Sequence, residues 1–238
     1  MTFIIVGSPF QIQSTFALSY SDEGFRPVQL TTTDQKSSGN ITSEFTEYVG
    51  FDKDFSLQYP SGWTLEPKTN RFEKTDLKMI SPEGVTGGVI MIENSILNTS
   101  ISNVLKEYDM KQKDVEKNLD LLFPRVLSGF ASVLEDFNQG EEPNYGKYLI
   151  DGHKTGSAEF GVKVSEQDLA GLLVWTMIGN NQFWLVFVAS PESFDDNLPL
   201  VEKVLDSIKI LPKRHSGCDQ IITTRSNLLG LLNFLSSF

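Results

Sequence analysis

The sequence contains little cysteine and little histidine. Cys218 is the one cysteine in 238 residues, which excludes an intrachain disulfide and any zinc or iron–sulfur site built from several cysteines. His153 and His215 are the two histidines, so little imidazole chemistry is expected. Chemistry in this chain has to come mainly from other side chains.

Positive charge is also scarce. Lys and Arg number 20 against 31 Asp and Glu, so the formal net charge is −11 at pH 7. An acidic surface of this size repels phosphate backbones and anionic lipid head groups, and we expect no nucleic-acid partner. The remaining composition, 39% hydrophobic and 21% charged, is typical of one globular domain with appendages.

The common catalytic motifs do not occur. There is no Gly-x-Ser-x-Gly, no Gly-x-Gly-x-x-Gly and no His-Glu-x-x-His. The segment from Gly140 to Lys147 has the wrong glycine spacing for a phosphate loop, and the glycine after Asp136 and Asn138 comes one place too early for a calcium loop. No catalytic residue and no cofactor are therefore predicted.

Four residues are weak candidates for binding a divalent cation. Glu192, Asp195 and Asp196 form the densest carboxylate cluster, beside a helix predicted to begin near Ser193, and His153 lies in a turn. A simpler interpretation is that the three acidic residues lie in the first helical turn and offset the helix dipole. For His153, the simpler interpretation is an exposed turn residue that binds no metal.

The first 45 residues divide into two predicted segments. Residues 1–19 resemble part of a signal peptide, because Met1–Ala17 carries no charge and Thr15-Phe16-Ala17 fits a small-x-small cleavage site. No Lys or Arg precedes Arg26, so we expect a start codon placed too late; the alternative is an uncharged start of a cytoplasmic protein. Residues 20–45 read as a polar linker, and Asn40 and Asn98 fit the glycosylation sequon.

Residues 213–238 form a tail of undetermined role. Its apolar residues cluster within 227–238, which is shorter than the ~20 residues needed to cross a bilayer. An interfacial amphipathic helix, a helix that packs on a partner and a segment without a selected role all remain open. Membrane contact is expected, if at all, through this tail alone.

Residues 46–212 are predicted to form the folded domain. Apolar and polar residues alternate over 54–59, and further strands are predicted near 79–81, 85–93, 154–164, 169–178, 183–189 and 208–211. Both alternating sets are apolar in 169–178, so that strand needs cover on both faces, which only helices remain to supply. The pattern predicts an α+β fold, an α/β/α sandwich with a central antiparallel sheet.

Two helical regions complete this domain. Apolar residues recur at helical spacing from Val104 to Val126, and Pro124 is expected to bend or break that region near Leu122. A last helix follows Ser193. The tryptophans Trp63, Trp175 and Trp184 are interpreted as core residues, with a ligand groove as the alternative.

Five stretches of the sequence form a distinctive set: Phe51-x-x-x-Phe55-Ser56-x-x-Tyr59-Pro60-Ser61-Gly62-Trp63, Ile150-Asp151-Gly152-His153-Lys154, 173–189, Ser190-Pro191-Glu192-x-Phe194-Asp195 and Val204-Leu205-Asp206-Ser207-Ile208. Together they resemble the PsbP family, which is named after an extrinsic subunit of photosystem II. The similarity covers about 44–211 and is closest to PsbP-like proteins that some archaea export.

The resemblance implies an α/β/α sandwich and a binding or assembly role without catalysis. Proteins of this fold include a Ran-binding import factor and assembly factors of the thylakoid lumen. An acidic chain departs from the basic face that docking on a photosystem needs, and no family metal site matches residue by residue. Fold alone does not determine function.

The leading hypothesis is therefore an exported, non-enzymatic PsbP-like module that binds a protein partner or stabilises an extracytoplasmic complex. The alternative is a carrier of a small ligand or cation that uses a groove beside the sheet. A hydrolase is a third hypothesis, which rests on scattered carboxylates without a nucleophile–base pair.

Overall fold

The computed structural model describes residues 44–69, 75–96, 99–134, 136–164 and 166–211. The signal-like segment 1–19, the tail 213–238 and both sequon asparagines lie outside the described residues, as does all but the end of the linker 20–45. The first described strand begins at Phe45, one residue before the predicted domain boundary.

Eleven strands, three α-helices and one 3₁₀ helix make up the described chain. The strands are β1 Phe45–Val49, β2 Phe55–Pro60, β3 Thr64–Pro67, β4 Leu77–Ile80, β5 Val89–Ile96, β6 Asn138–Gln139, β7 Asn144–Ile150, β8 His153–Val164, β9 Gln167–Ile178, β10 Asn181–Ala189 and β11 Lys209–Ile210. The α-helices are α1 Thr99–Glu107, α2 Leu119–Ala131 and α3 Pro191–Ser207, and the 3₁₀ helix is Gln112–Lys117.

The strands form two sheets in which every described pairing is antiparallel. The larger sheet has the order β3-β4-β5-β10-β9-β8-β6, and β7 also pairs with β8. The smaller sheet has the order β1-β2-β11. The predicted α+β architecture with a central antiparallel sheet is confirmed, as are the β4–β5 and β9–β10 hairpins.

The larger sheet buries apolar side chains on both faces. Leu173 and Trp175 of β9 belong to the core beneath α1 and α2, whereas Leu172 and Val174 face α3, as the alternation predicts. The prediction that helices alone cover this sheet is wrong on one face, because strand β2 of the smaller sheet packs on the α3 face together with the helix. Trp63, Trp175 and Trp184 are all buried, which confirms them as core residues.

The helical region 99–131 breaks at a different place from the one predicted. The first helix ends where Asp109 adopts φ 49°, and the N–H of Met110 donates to the carbonyl of Leu105 at 2.8 Å. This is a Schellman-type end with Asp in the left-handed position. Pro124 lies inside α2, where Phe123 and its buried neighbours pack against the sheet, so the expected break near Leu122 is wrong.

Candidate functional site

A groove of about 510 Å³ lies beside the larger sheet, next to the start of α3. Parts of β8 and β9 form its floor, the segment around β6 forms one side, and the first turns of α3 form the other. Its lining residues are Asp136, Asn138, Gly140, Glu159, Phe160, Gly161, Val162, Lys163, Asp168, Leu169, Ala170, Gly171, Pro191, Phe194 and Asp195.

Strand alternation decides which β8 side chains reach this groove. Phe160 and Val162 belong to the core beneath α1 and α2. Successive side chains of a strand point to opposite faces, so Glu159, Gly161 and Lys163 face the α3 side. The floor is therefore polar along β8, although the same strand is apolar on its other face.

Four carboxylates and one ammonium group belong to the groove lining. Asp136, Glu159, Asp168 and Asp195 carry the negative charge, and Lys163 lies opposite Asp168 in the β8–β9 register. The four carboxylates come from four different parts of the chain. Their excess over the single lysine gives the groove a negative field, which attracts cations.

Apolar groups complete the groove between these charges. Phe194 is buried and stacks on Phe187, with ring centroids 5.5 Å apart, while Pro191 is exposed beside it. A Cβ at Gly161 would have its nearest neighbours at 3.9 Å, which is an ordinary van der Waals distance, so a small side chain fits there without a clash. The groove thus combines an apolar wall with charged edges.

The start of α3 is held in place by the loop that joins β4 and β5. The Nδ2 of Asn197 donates to the carbonyl of Gly87 at 2.9 Å, and the N–H of Ser190 donates to the carbonyl of Thr86 at 3.2 Å. A Cβ at Gly88 would lie 2.7 Å from the Phe187 ring, so the backbone of this loop approaches the ring closely.

The structure separates the four predicted cation-binding candidates. Asp195 lines the groove, whereas Glu192 and Asp196 are exposed on α3 and are not part of the lining. His153 lies at the start of β8, and its Nδ1 is 2.5 Å from Oε1 of Glu116. Within the described ranges, no three His, Cys, Asp or Glu side chains lie close enough together to share a metal ion.

The predicted start of the last helix needs correction. Helix α3 begins at Pro191 rather than near Ser193, because Ser190 is extended and proline favours the first helical position. Asp195 and Asp196 therefore lie in the second turn. The helix-dipole explanation applies to Glu192 alone among the three acidic residues.

A second polar cluster lies where the smaller sheet meets the larger one. Asn94 of β5 donates its Nδ2–H to Oδ2 of Asp54 at 2.8 Å and its backbone N–H to Oδ2 of Asp76. Lys68 contacts Asp76 at 3.0 Å, and Asn181 donates to Oδ1 of Asn94 at 3.0 Å. This network links the β1–β2 loop to β5 and to the start of β10.

Burial raises the pKa of both carboxyls in this network. Burial is the largest cause for Asp54 and for Asp76, and the hydrogen bonds from Asn94 and the charge of Lys68 oppose it. Burial lowers the pKa of Lys68. The negative charges of Asp76 and the neighbouring carboxylates together raise this pKa by more than burial lowers it, so the pKa of Lys68 is raised overall. The Lys68–Asp76 contact is nearly enclosed, and we interpret it as structural.

Sequence reasoning missed most of the groove. Of its charged residues, only Asp195 is among the four predicted cation-binding candidates. Glu159, Gly161 and Lys163 alternate with apolar residues within β8, and this signal was available in the sequence. Asp168 lies beside Lys163 through the β8–β9 hairpin register, but nothing local indicates that Asp195 joins them, because α3 is separate in the chain.

Comparisons with known proteins give structural similarity only. No protein-family model and no curated protein sequence matches the chain. A cyanobacterial PsbP (CyanoP) from Synechocystis is similar over 74% of this chain and 98% of its own, with 13% identity and a TM-score of 0.46. LpqN of Mycobacterium tuberculosis, described as involved in cell envelope biogenesis, is similar over 72% and 88%, with 12% identity and a TM-score of 0.41.

A third similar structure is the Ran-binding protein Mog1p of Saccharomyces cerevisiae. It is similar over 71% of this chain and 96% of its own, with 8% identity and a TM-score of 0.38. At such identities and TM-scores, these likenesses carry no argument about activity or partners. In the described part of the chain, no helix has the length and apolar content that crossing a bilayer requires.

Proposed function

We propose that this chain is a non-enzymatic, extracytoplasmic PsbP-like module that binds a protein partner at the groove beside α3. The observation that carries the proposal is the groove itself, which is open, partly apolar and acidic. Such a surface combines apolar area with charges that can select and orient a partner.

The lining of the groove favours binding over catalysis. None of its described lining residues is a Ser, Thr, Cys, His or Tyr, so it offers carboxylates and a lysine but no hydroxyl, thiol or imidazole. His153 contacts Glu116 and is not part of the lining. We therefore propose no nucleophile–base pair in the groove.

Recovery of a partner tests this function directly. The tagged full chain is cross-linked in envelope fractions of the native cells, and the captured proteins are compared with those on an unrelated acidic protein. We expect one or a few proteins to be enriched reproducibly at near-stoichiometric amounts. A capture profile equal to that of the acidic control would refute protein binding.

The extracytoplasmic location needs its own experiment. The proposal rests on the signal-like start of the sequence and on the resemblance to exported PsbP-like proteins. Fractionation of native cells, with N-terminal analysis of the mature protein, should place a chain that starts near Leu18 in an envelope or external fraction. An unprocessed cytoplasmic chain would contradict this location.

A carrier of a small ligand or cation is the second candidate. The groove volume of about 510 Å³ lies within the range of ~300–1,000 Å³ that is usual for small-molecule sites, and this favours the candidate. Native mass spectrometry of the chain purified from its own cells is the test. Retention of a stoichiometric small molecule or metal would favour the carrier, and a bare chain would count against it.

A further inference from the structure

We propose that the occupant of the groove is an extended segment of the partner protein in which arginine or lysine side chains flank apolar ones. The basic side chains contact Asp168 and Asp195, and the apolar side chains lie between them against Phe194 and Ala170. This inference rests on the proposed function, because it specifies the chemistry of the protein that the groove binds.

The distribution of charge favours a chain over a single ion. Asp136, Glu159, Asp168 and Asp195 come from four separate parts of the chain, and no three acidic or histidine side chains in the described chain converge. Calcium requires ~6–8 converging oxygen ligands. A peptide carries its positive charges several ångströms apart and can pair with carboxylates that do not converge.

The apolar surface between the charges favours a peptide as well. Phe194 stacks on Phe187, so its ring is held in place, and α3 is tied to the sheet through Asn197. Gly161 lines the groove, and a Cβ there would make only ordinary contacts at 3.9 Å. Apolar side chains of a peptide can contact this part of the groove, while the basic ones stay near the solvent.

The rim offers a matched pair of charge variants. Asp168 and Asp195 are exposed and line the groove, whereas Glu166 and Asp196 are exposed neighbours that do not. The variant Asp168→Asn/Asp195→Asn and the control Glu166→Gln/Asp196→Asn both remove two negative charges. General attraction to an acidic protein is therefore reduced equally in the two variants.

Fluorescence anisotropy with a labelled peptide of alternating arginine and leucine is the assay. We expect the groove variant to bind about fivefold more weakly than the wild type, and the control variant to stay within about twofold. A peptide with glutamate in place of arginine should not bind. Equal weakening in both variants, or in neither, would overturn the groove as the site.

A steric variant tests the same site without a change of charge. Gly161→Leu places a side chain in the groove, and Gly129→Leu places one on the exposed side of α2, where a Cβ meets nothing within 4 Å. We expect only Gly161→Leu to reduce peptide binding, by about tenfold, with unchanged circular dichroism. Unchanged binding by a folded Gly161→Leu variant would reject the inference.

Two further measurements separate this inference from the proposed function and from the carrier alternative. If the groove variant still captures the cellular partner at wild-type amounts, the binding function stands and the groove assignment fails. If calcium displaces the peptide from the wild type but not from the groove variant, the groove is a cation site and the peptide inference is wrong.

Discussion

Replacement of Gly156 by alanine should destabilise the domain, although the change adds only one methyl group. A Cβ at this position would lie 2.4 Å from Cγ and 2.8 Å from Cβ of Phe123. Ordinary carbon contacts are ~3.5–4.0 Å, so the overlap exceeds 1 Å. The atoms concerned are next to the helix backbone, and a rotation of the Phe123 ring cannot relieve the clash.

The displaced element would be α2, which packs on β8 through this contact. Phe123 is fully buried and stacks on Trp175, with ring centroids 6.5 Å apart. Overpacking of this kind costs about 1–3 kcal/mol. With an m-value of about 2 kcal/mol/M, the urea midpoint should fall by about 1 M, measured by tryptophan fluorescence and circular dichroism.

Gly161 in the same strand supplies the control. Its Cβ would meet nothing closer than 3.9 Å, because it faces the groove rather than α2. Gly161→Ala should leave the free energy of unfolding unchanged or raise it by up to about 1 kcal/mol, since alanine loses less conformational entropy on folding. In a Phe123→Ala background the cost of Gly156→Ala should largely disappear. Equal stability of the two alanine variants would refute the assigned faces of β8.

Three further predictions concern the polar contacts. Burial raises the pKa of Asp54 in the folded state, because the charged carboxylate is costly to bury. As pH falls from 7 towards 4, protonation of Asp54 removes this cost, so the free energy of unfolding of the wild type should rise relative to that of Asp54→Asn. A pH-independent difference between the two proteins would contradict this sign. Asn197→Ala should cost about 1–2 kcal/mol in urea unfolding, since it leaves the Gly87 carbonyl unpaired; no loss of stability would show that this bond does not hold α3. His153→Ala should cost less than about 1 kcal/mol, because its pair with Glu116 is partly exposed, and it should leave peptide binding unchanged; weaker binding would bring His153 into the site.

The strands with strong local patterns were predictable, and the weakly patterned ones were not. In β9, the two sets of alternating apolar residues are long enough to reveal a strand covered on both faces. In contrast, β6 has two residues, and β7 is exposed along much of its length and contains Gly146 at φ 82°. Such strands form because β8 offers them an edge, and this is a property of the assembled sheet.

The position of the break in the first helical region could not be predicted from the local sequence either. Proline is the strongest local signal against a helix, and it predicted an interruption near Leu122. The chain instead turns at Asp109, where two backbone hydrogen bonds close the end of α1. Packing of Phe123 and its neighbours against the sheet maintains α2 through Pro124, and such packing energy is absent from any local pattern.

The sequence by itself determined the antiparallel α+β class, the two hairpins, the double-sided burial of β9 and the acidic charge of the chain. These properties follow from the two-residue repeat of strand side chains and from the composition, and neither depends on contacts between residues far apart in the chain. Only the tertiary structure decided that Glu159, Asp168 and Asp195 share one groove and that His153 lies outside it. Side chains from separate elements converge only when β8, β9 and α3 pack together, and the energy of that packing comes from contacts between residues far apart in the chain.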